Sequence, residues 1–217
     1  LPADLRDAIC LIGAALMRLW SVTWSYERIA DYGPRLIGPA VQPAQDLRGN
    51  EAGLSVLALC VTLFGLLSHV PTQVRSLLPA SFDGEGSFNR VRRFLRAGDE
   101  QWPELIGDAD PWVAWAATRC LAAQQEDDGD PQASLRTIET LLGRLHGNDL
   151  AGIHLLELHL HRLQVLMSLG RYSQVIDACS RAQVLLDRVL PSWGEFFRTT
   201  LRLEGAYCAV YLDPRPE

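Results

Sequence analysis

The sequence predicts an all-α fold, an α-solenoid of antiparallel helix hairpins with about ten or eleven helices. Three observations carry that expectation. Stretches with apolar residues at i, i+3, i+4 and i+7 follow one another along most of the chain, the stripe of amphipathic helices. Glycine, proline and aspartate clusters cut those stretches into pairs. One such turn also recurs at nearly constant spacing, at Asp128-Gly129-Asp130-Pro131, at Leu169-Gly170-Arg171-Tyr172 and at Leu212-Asp213-Pro214.

Helices are expected from about Ala3 to Val22 and Ser25 to Ile37, then Leu47 to His69 and Thr72 to Pro79. The turn Asp83-Gly84-Glu85-Gly86-Ser87 precedes a shorter helix over Phe88 to Ala97. Gly98 to Asp110 reads as irregular, with one turn around Trp102 to Ile106. Asp110-Pro111 then opens a helix to about Asp128, proline suiting a first helical turn because it has no N–H to leave unpaired. Four more helices follow over 131–146, 149–169, 171–190 and 192–212. Leu156-Glu157-Leu158-His159-Leu160-His161 alternates like a strand, but the apolar pattern continues through Leu163, Leu166, Met167 and Leu169, too long for one. The clearest stripe is Tyr172, Val175, Ile176, Cys179, Ala182, Leu186, Val189 and Leu190. This organisation divides the chain into N-terminal hairpins over 1–80, a connector with one basic helix over 81–109, and regular hairpins over 110–217.

Composition bounds the function. With 217 residues, 48% of them apolar and 21% charged, the chain has material for a folded core. All 20 of its basic residues are arginine, which excludes a Schiff-base lysine, a Walker-A lysine or a lysine general base within it. A net charge of −6 argues against a domain that coats nucleic acid. Cys10, Cys60, Cys120, Cys179 and Cys208 form no CxxC pair and sit in apolar runs, which suits buried reduced thiols in the cytoplasm. The uncharged stretch 52–74 approaches the ~20 residues of a membrane span. Pro71 and several polar residues interrupt it, and its strongly apolar part, Leu54 to Leu67, suits a buried helix, so no membrane crossing is expected. The start Leu1-Pro2-Ala3-Asp4 opens a charged helix rather than a secretory peptide, and the chain reads as a piece of a longer protein.

The repeated turns lie 41 and 42 residues apart, two antiparallel helices per unit. Gly170, Tyr172 and Ala182 resemble the small–aromatic–small positions of a tetratricopeptide repeat. Cys179 stands where a bulky residue is usual, His159 where an aromatic is usual, and Leu163 where glycine or alanine is. The run Asp110-Pro111-Trp112-Val113-Ala114-Trp115-Ala116, the turn at 128–131 and Leu135…Leu141-Leu142 are similar to the C-terminal helical-repeat region of AfsR-type regulators. These are large actinobacterial members of the Streptomyces antibiotic regulatory protein group. Leu5-Arg6-Asp7-Ala8-Ile9-Cys10-Leu11-Ile12-Gly13…Trp20 is similar to the start of that region. The resemblance implies a non-catalytic regulatory arm without a cofactor of its own, with DNA and nucleotide binding handled by other domains. Its partner would be a protein or peptide, the regulator's own nucleotide-binding switch domain or a second copy being candidates. A small-molecule effector held between hairpins is the alternative.

Mapping the concave groove of such repeats onto this chain selects Arg119, Glu126, Glu157, Gln164, Met167 and Arg202 as candidate partner-binding residues. Arg90, Arg92, Arg93 and Arg96, around Phe88, Val91, Phe94 and Leu95, form a candidate basic interface helix able to grip an acidic partner; arginines facing water are the plainer reading. His154, Glu157, His159 and His161 lie close in sequence, yet His159 points about 160° from His161 on a helix, so no metal site is expected. Glu126-Asp127-Asp128-Gly129-Asp130 lacks the spaced ligands of a calcium loop. Trp112 and Trp115 suit core packing better than ligand stacking. No catalytic motif of the GxSxG or HExxH kind occurs.

Overall fold

The computed structural model describes residues 8–9, 12–13, 16, 27–28, 31–33, 35–36, 93–94, 99–145, 152–189 and 195–212. Among these residues every regular element is a helix and none is a strand. The described residues between 8 and 36 are helical where helices are expected, as are Arg93 and Phe94. The expected helices over 47–69 and 72–79, the uncharged stretch 52–74 and the turn 83–87 lie outside the described residues. No described helix is long and apolar enough to cross a membrane. Two compact units emerge, Leu1–Asp127 and Asp128–Glu217. Their boundary falls at the turn Asp128-Gly129-Asp130, inside the stretch the sequence groups as one array of hairpins.

In the first unit a single 3-10 turn, Asp99–Gln101, leads into α1 (Trp102–Leu105), which packs on α2 (Pro111–Asp127). Asp110 caps α2. Its Oδ1 accepts from the Trp112 N–H at 3.0 Å and its carbonyl from the Ala114 N–H at 3.0 Å, with Pro111 at the first helical position. Val113 through Thr118 and Cys120 through Ala122 are all buried, so the first three turns of α2 are enclosed on nearly every face, while its last turn, Gln124 to Asp127, is half-buried to exposed. A stretch that is apolar on every side, as Trp112–Thr118 nearly is, stays folded only when packed into a core. Phe94 and Trp102, both fully buried, stack with centroids 6.1 Å apart, and Trp115 lies beside Trp112 edge-to-face at 6.4 Å.

The second unit holds α3 (Pro131–Arg144), α4 (Gly152–Ser168), α5 (Tyr172–Val189) and α6 (Glu195–Leu212). Each packs on its neighbour in sequence: α3 on α4, α4 on α5, α5 on α6. The strand-like run 156–161 lies within α4. Asp130 caps α3, its Oδ1 accepting from the Ala133 N–H at 2.8 Å. The α4–α5 turn is a Schellman closure: the Arg171 N–H donates to the Leu166 carbonyl and the Gly170 N–H to the Met167 carbonyl, both at 3.0 Å. That closure needs a left-handed residue, and Gly170 takes φ +67. Gly129, 41 residues earlier, takes φ +82 and likewise stands two residues before a helix. Two of the three recurring turns therefore share a left-handed glycine, and the third, at 212–214, extends outside the described residues.

Burial follows position in this series. In α3 the buried residues Ser134, Leu135, Thr137, Ile138 and Leu141 form one stripe, as do Val175, Ala178, Cys179, Ala182 and Leu186 in α5. α4, with helices on two sides, buries His154, Leu156, Leu158, His161, Leu163, Val165 and Leu166. α6 buries only Leu201 and Cys208 among its described side chains.

Candidate functional site

The residues selected for a partner groove fall in both units. On α2, Arg119 and Glu126 are half-buried and share a face through their seven-residue spacing. On α4, Glu157 and Gln164 share a face by the same spacing, with Met167 beside them. Gln164 is exposed, whereas Glu157 and Met167 are half-buried. Glu157 is also engaged at home, its Oε2 standing 3.1 Å from His154 Nδ1 one turn earlier. Arg202 is exposed on α6. The free edge of α4 is thus a narrow polar strip, most open at Gln164 and Ser168, because α3 and α5 cover the rest.

Of the candidate basic helix, Arg90, Arg92 and Arg96 lie outside the described residues. Arg93 is engaged within the chain. Its Nη1 donates to both Asp108 carboxylate oxygens at 3.0 and 3.1 Å, and its Nη2 to Asp110 Oδ2 at 3.4 Å. Asp108 in turn accepts from the Asp110 N–H at 2.8 Å. One guanidinium therefore ties the helical turn at 93–94 to the capped start of α2, an arrangement that local sequence does not announce.

The second unit carries its own charge clasps. Arg162 on α4 donates through Nε and Nη2 to Glu139 Oε1 on α3 at 3.0 and 2.8 Å. Arg171, in the α4–α5 turn, donates to Gln132 in the first turn of α3. Arg198 on α6 donates to Asp187 on α5 at 2.6 Å. Each clasp crosses between helices, where side-chain length matters more than helix propensity.

The histidines do not converge. Among the described residues no group of three or more His, Cys, Asp and Glu is placed to hold a metal ion. His154 and His161 are buried on one side of α4, and His159 faces elsewhere. Burial holds His159 below its ordinary value, and Arg162 and Arg181 push in the same direction, so its imidazole is neutral at pH 7. Between α5 and α6, burial pushes the Cys179 thiol up to about 11, helped by Glu204 and Cys208. Cys208 is raised by burial and then by Glu204, and Glu204 itself is raised by burial. A nucleophilic cysteine needs the opposite shift, towards thiolate at neutral pH. These thiols are core residues.

What the motif reading did not single out lies on α6. Leu203, Tyr207, Val210 and Tyr211 are 65%, 50%, 69% and 54% exposed. Tyr207 Oη donates to Tyr211 Oη at 3.0 Å, and the Tyr211 ring lies 5.1 Å from that of Tyr172. The signal was present in sequence: Glu204 is the sole charged residue from Leu203 to Leu212. No family model, curated protein or solved structure matches this chain.

Proposed function

We propose that this chain is a tetratricopeptide-like α-solenoid segment that recognises a protein or peptide without catalysing a reaction, as the regulatory arm of a bacterial transcriptional regulator of the AfsR type. The observation that carries the reading is the repeated turn: Gly129 and Gly170 adopt the same left-handed conformation 41 residues apart, and each stands at the start of a helix joined to a sequential stack. A stack of that kind extends by adding units and offers long polar edges to partners. On this reading the α4 edge, with Glu157, Gln164 and Met167, and the exposed Arg202 on α6 are the contact residues of the second unit, and Arg119 and Glu126 on α2 are a separate candidate contact of the first.

Two measurements test this. The reading frame upstream of Leu1 is expected to encode a nucleotide-binding switch segment, and a catalytic domain there would redirect the assignment. The purified chain is then titrated with that switch segment, before and after Gln164→Arg and Arg202→Glu. Binding weakened at least tenfold by either change supports the reading. Binding indifferent to both removes this edge from it, and a large thermal shift with a metabolite in place of any protein binding would favour effector sensing.

A further inference from the structure

The left-handed turn occurs twice in this chain, but only one copy carries a carboxylate beside its glycine. Gly170 follows Leu169, whereas Gly129 follows Asp128. Among the described residues Asp128 is the one aspartate whose successor is glycine. It stands past the end of α2, and Asp128, Gly129 and Asp130 are all exposed before α3 begins. A Cβ at Gly129 would meet nothing within 4 Å, so neither a side chain nor a packed neighbour crowds that side of the turn.

Other described aspartates are held differently. Asp108 accepts from Arg93 and from the Asp110 N–H. Asp177 pairs with Arg181 at 2.7 Å, and Asp187 accepts from Arg198 at 2.6 Å. Both lie inside α5, where the residue that follows gives its N–H to the helix. Asp110 and Asp130 precede prolines, which have no N–H to lose.

We infer that Asp128-Gly129 is a site of spontaneous covalent modification, at which the turn closes to a succinimide and reopens as an isoaspartyl linkage. The Gly129 backbone nitrogen attacks Asp128 Cγ and gives up its proton. A C–N bond forms, and one carboxyl oxygen leaves as water. Water then opens the ring at either carbonyl. Attack at Cγ restores aspartate. Attack at the main-chain carbonyl breaks its bond to nitrogen and leaves the chain running through Cβ and Cγ. No oxidant or cofactor takes part, and one carboxylate is present before and after. The main chain between the end of α2 and the Asp130 cap becomes longer by one carbon. Glycine favours the closure because it lets the backbone approach where a Cβ on the attacking residue would crowd the ring. An exposed turn of small and polar residues also leaves room for the rotation about Asp128 that closure needs. This chemistry belongs to the turn and holds whatever the chain binds.

The test ages the full 217-residue chain at neutral pH for several weeks, native and in urea, and maps it by electron-transfer mass spectrometry, which distinguishes the two linkages at each aspartate. Mapping by position keeps Asp83-Gly84, which lies outside the described residues, from contributing to the result. In the native chain isoaspartate is expected to accumulate at Asp128 about tenfold faster than at Asp108, Asp177 or Asp187, and within about threefold of its rate in urea. Gly129→Ala is expected to slow it about tenfold. Asp128→Glu is expected to abolish it, because the larger ring closes poorly, and Asp128→Asn to accelerate it, with ammonia lost in place of water. A native chain in which Asp128 keeps its ordinary linkage overturns the inference, whether or not the unfolded chain converts. So does native conversion that Gly129→Ala leaves unchanged, or that proceeds equally fast at Asp108 and Asp177.

Discussion

Three glycines in the second unit share a property that allows backbone and packing effects to be separated. A Cβ placed on Gly129, Gly143 or Gly170 would meet nothing within 4 Å, so a change to alanine at any of them adds no clash. They differ in conformation. Gly129 and Gly170 sit at φ +82 and +67, whereas Gly143 lies inside α3 with ordinary helical geometry. An alanine held in the left-handed region costs about 1–2 kcal/mol, offset by about 0.4–1 kcal/mol because the unfolded chain loses freedom. Gly170→Ala and Gly129→Ala should therefore each destabilise by about 0.5–1 kcal/mol. Gly143→Ala should stabilise by about 0.5–1 kcal/mol through helix propensity alone. Gly170→Asn should fall between wild type and Gly170→Ala, because asparagine tolerates the left-handed region better. Urea unfolding followed by circular dichroism, at about 1–3 kcal/mol per molar of urea, separates Gly143→Ala from Gly170→Ala by roughly 0.3–2 M in midpoint. Amide exchange in α4 and α5 shows whether the loss is local to the Gly170 turn. Midpoints that move in the same direction for Gly143→Ala and Gly170→Ala would refute the argument, since open space is common to both and only φ distinguishes them.

Other expectations follow from the same structure. His159 has its proton affinity lowered in the fold, so the unfolded chain takes up a proton that the folded chain refuses. Stability present above pH ~6.5 is then lost as pH falls, with a slope of at most ~1.4 kcal/mol per pH unit from this one group, and His159→Gln should flatten that slope in denaturation measured between pH 7 and pH 5. Cys179, with its thiol at about 11, should resist iodoacetamide at pH 8 in the native chain and react once urea unfolds it; peptide mapping that finds it labelled at the rate of a free thiol would contradict its placement. Asp110→Ala removes the acceptor for the Trp112 N–H and one counter-ion of Arg93, and should cost about 1 kcal/mol. Arg93→Ala, at a guanidinium 47% exposed, should cost less than Asp110→Ala; the reverse order in thermal melts would mean that the ion pair, and not the cap, holds the start of α2.

The helices were legible because their determinants are local. Apolar spacing located the elements from Pro111 onwards to within a few residues at each end, and Asp110-Pro111 and Pro131 marked two helix starts, whose capping by Asp110 and Asp130 only the structure showed. The end of α3 differs: Leu145 turns to φ −73, ψ 131, so the helix stops at Arg144 rather than at His146. The Gly129 and Gly170 turns were readable as a repeat before either showed its positive φ. The candidate site was less legible. Glu157 is the right residue type on an expected face, yet its carboxylate is occupied by His154, a pairing that competes with any partner.

Arg93 reaches Asp108 and Asp110 across 15 and 17 residues, and Arg162 reaches Glu139 across 23, distances at which sequence pattern carries no pairing information. Burial divides in the same way. Periodicity distinguishes an apolar face from a polar one, and so fixes α3 and α5 as one-sided helices from their residues alone. It does not say how many neighbours a helix will have. α2 is enclosed on nearly every face over its first three turns, α4 is covered from two sides, and α6 keeps Leu203 and Val210 in solvent although their spacing is that of a core. The chain's own residues determine where each helix runs, how it is capped and which side is apolar, since those depend on contacts within a turn or two. Which apolar sides find a cover is settled only by packing, because burial is a property of the neighbour as much as of the helix.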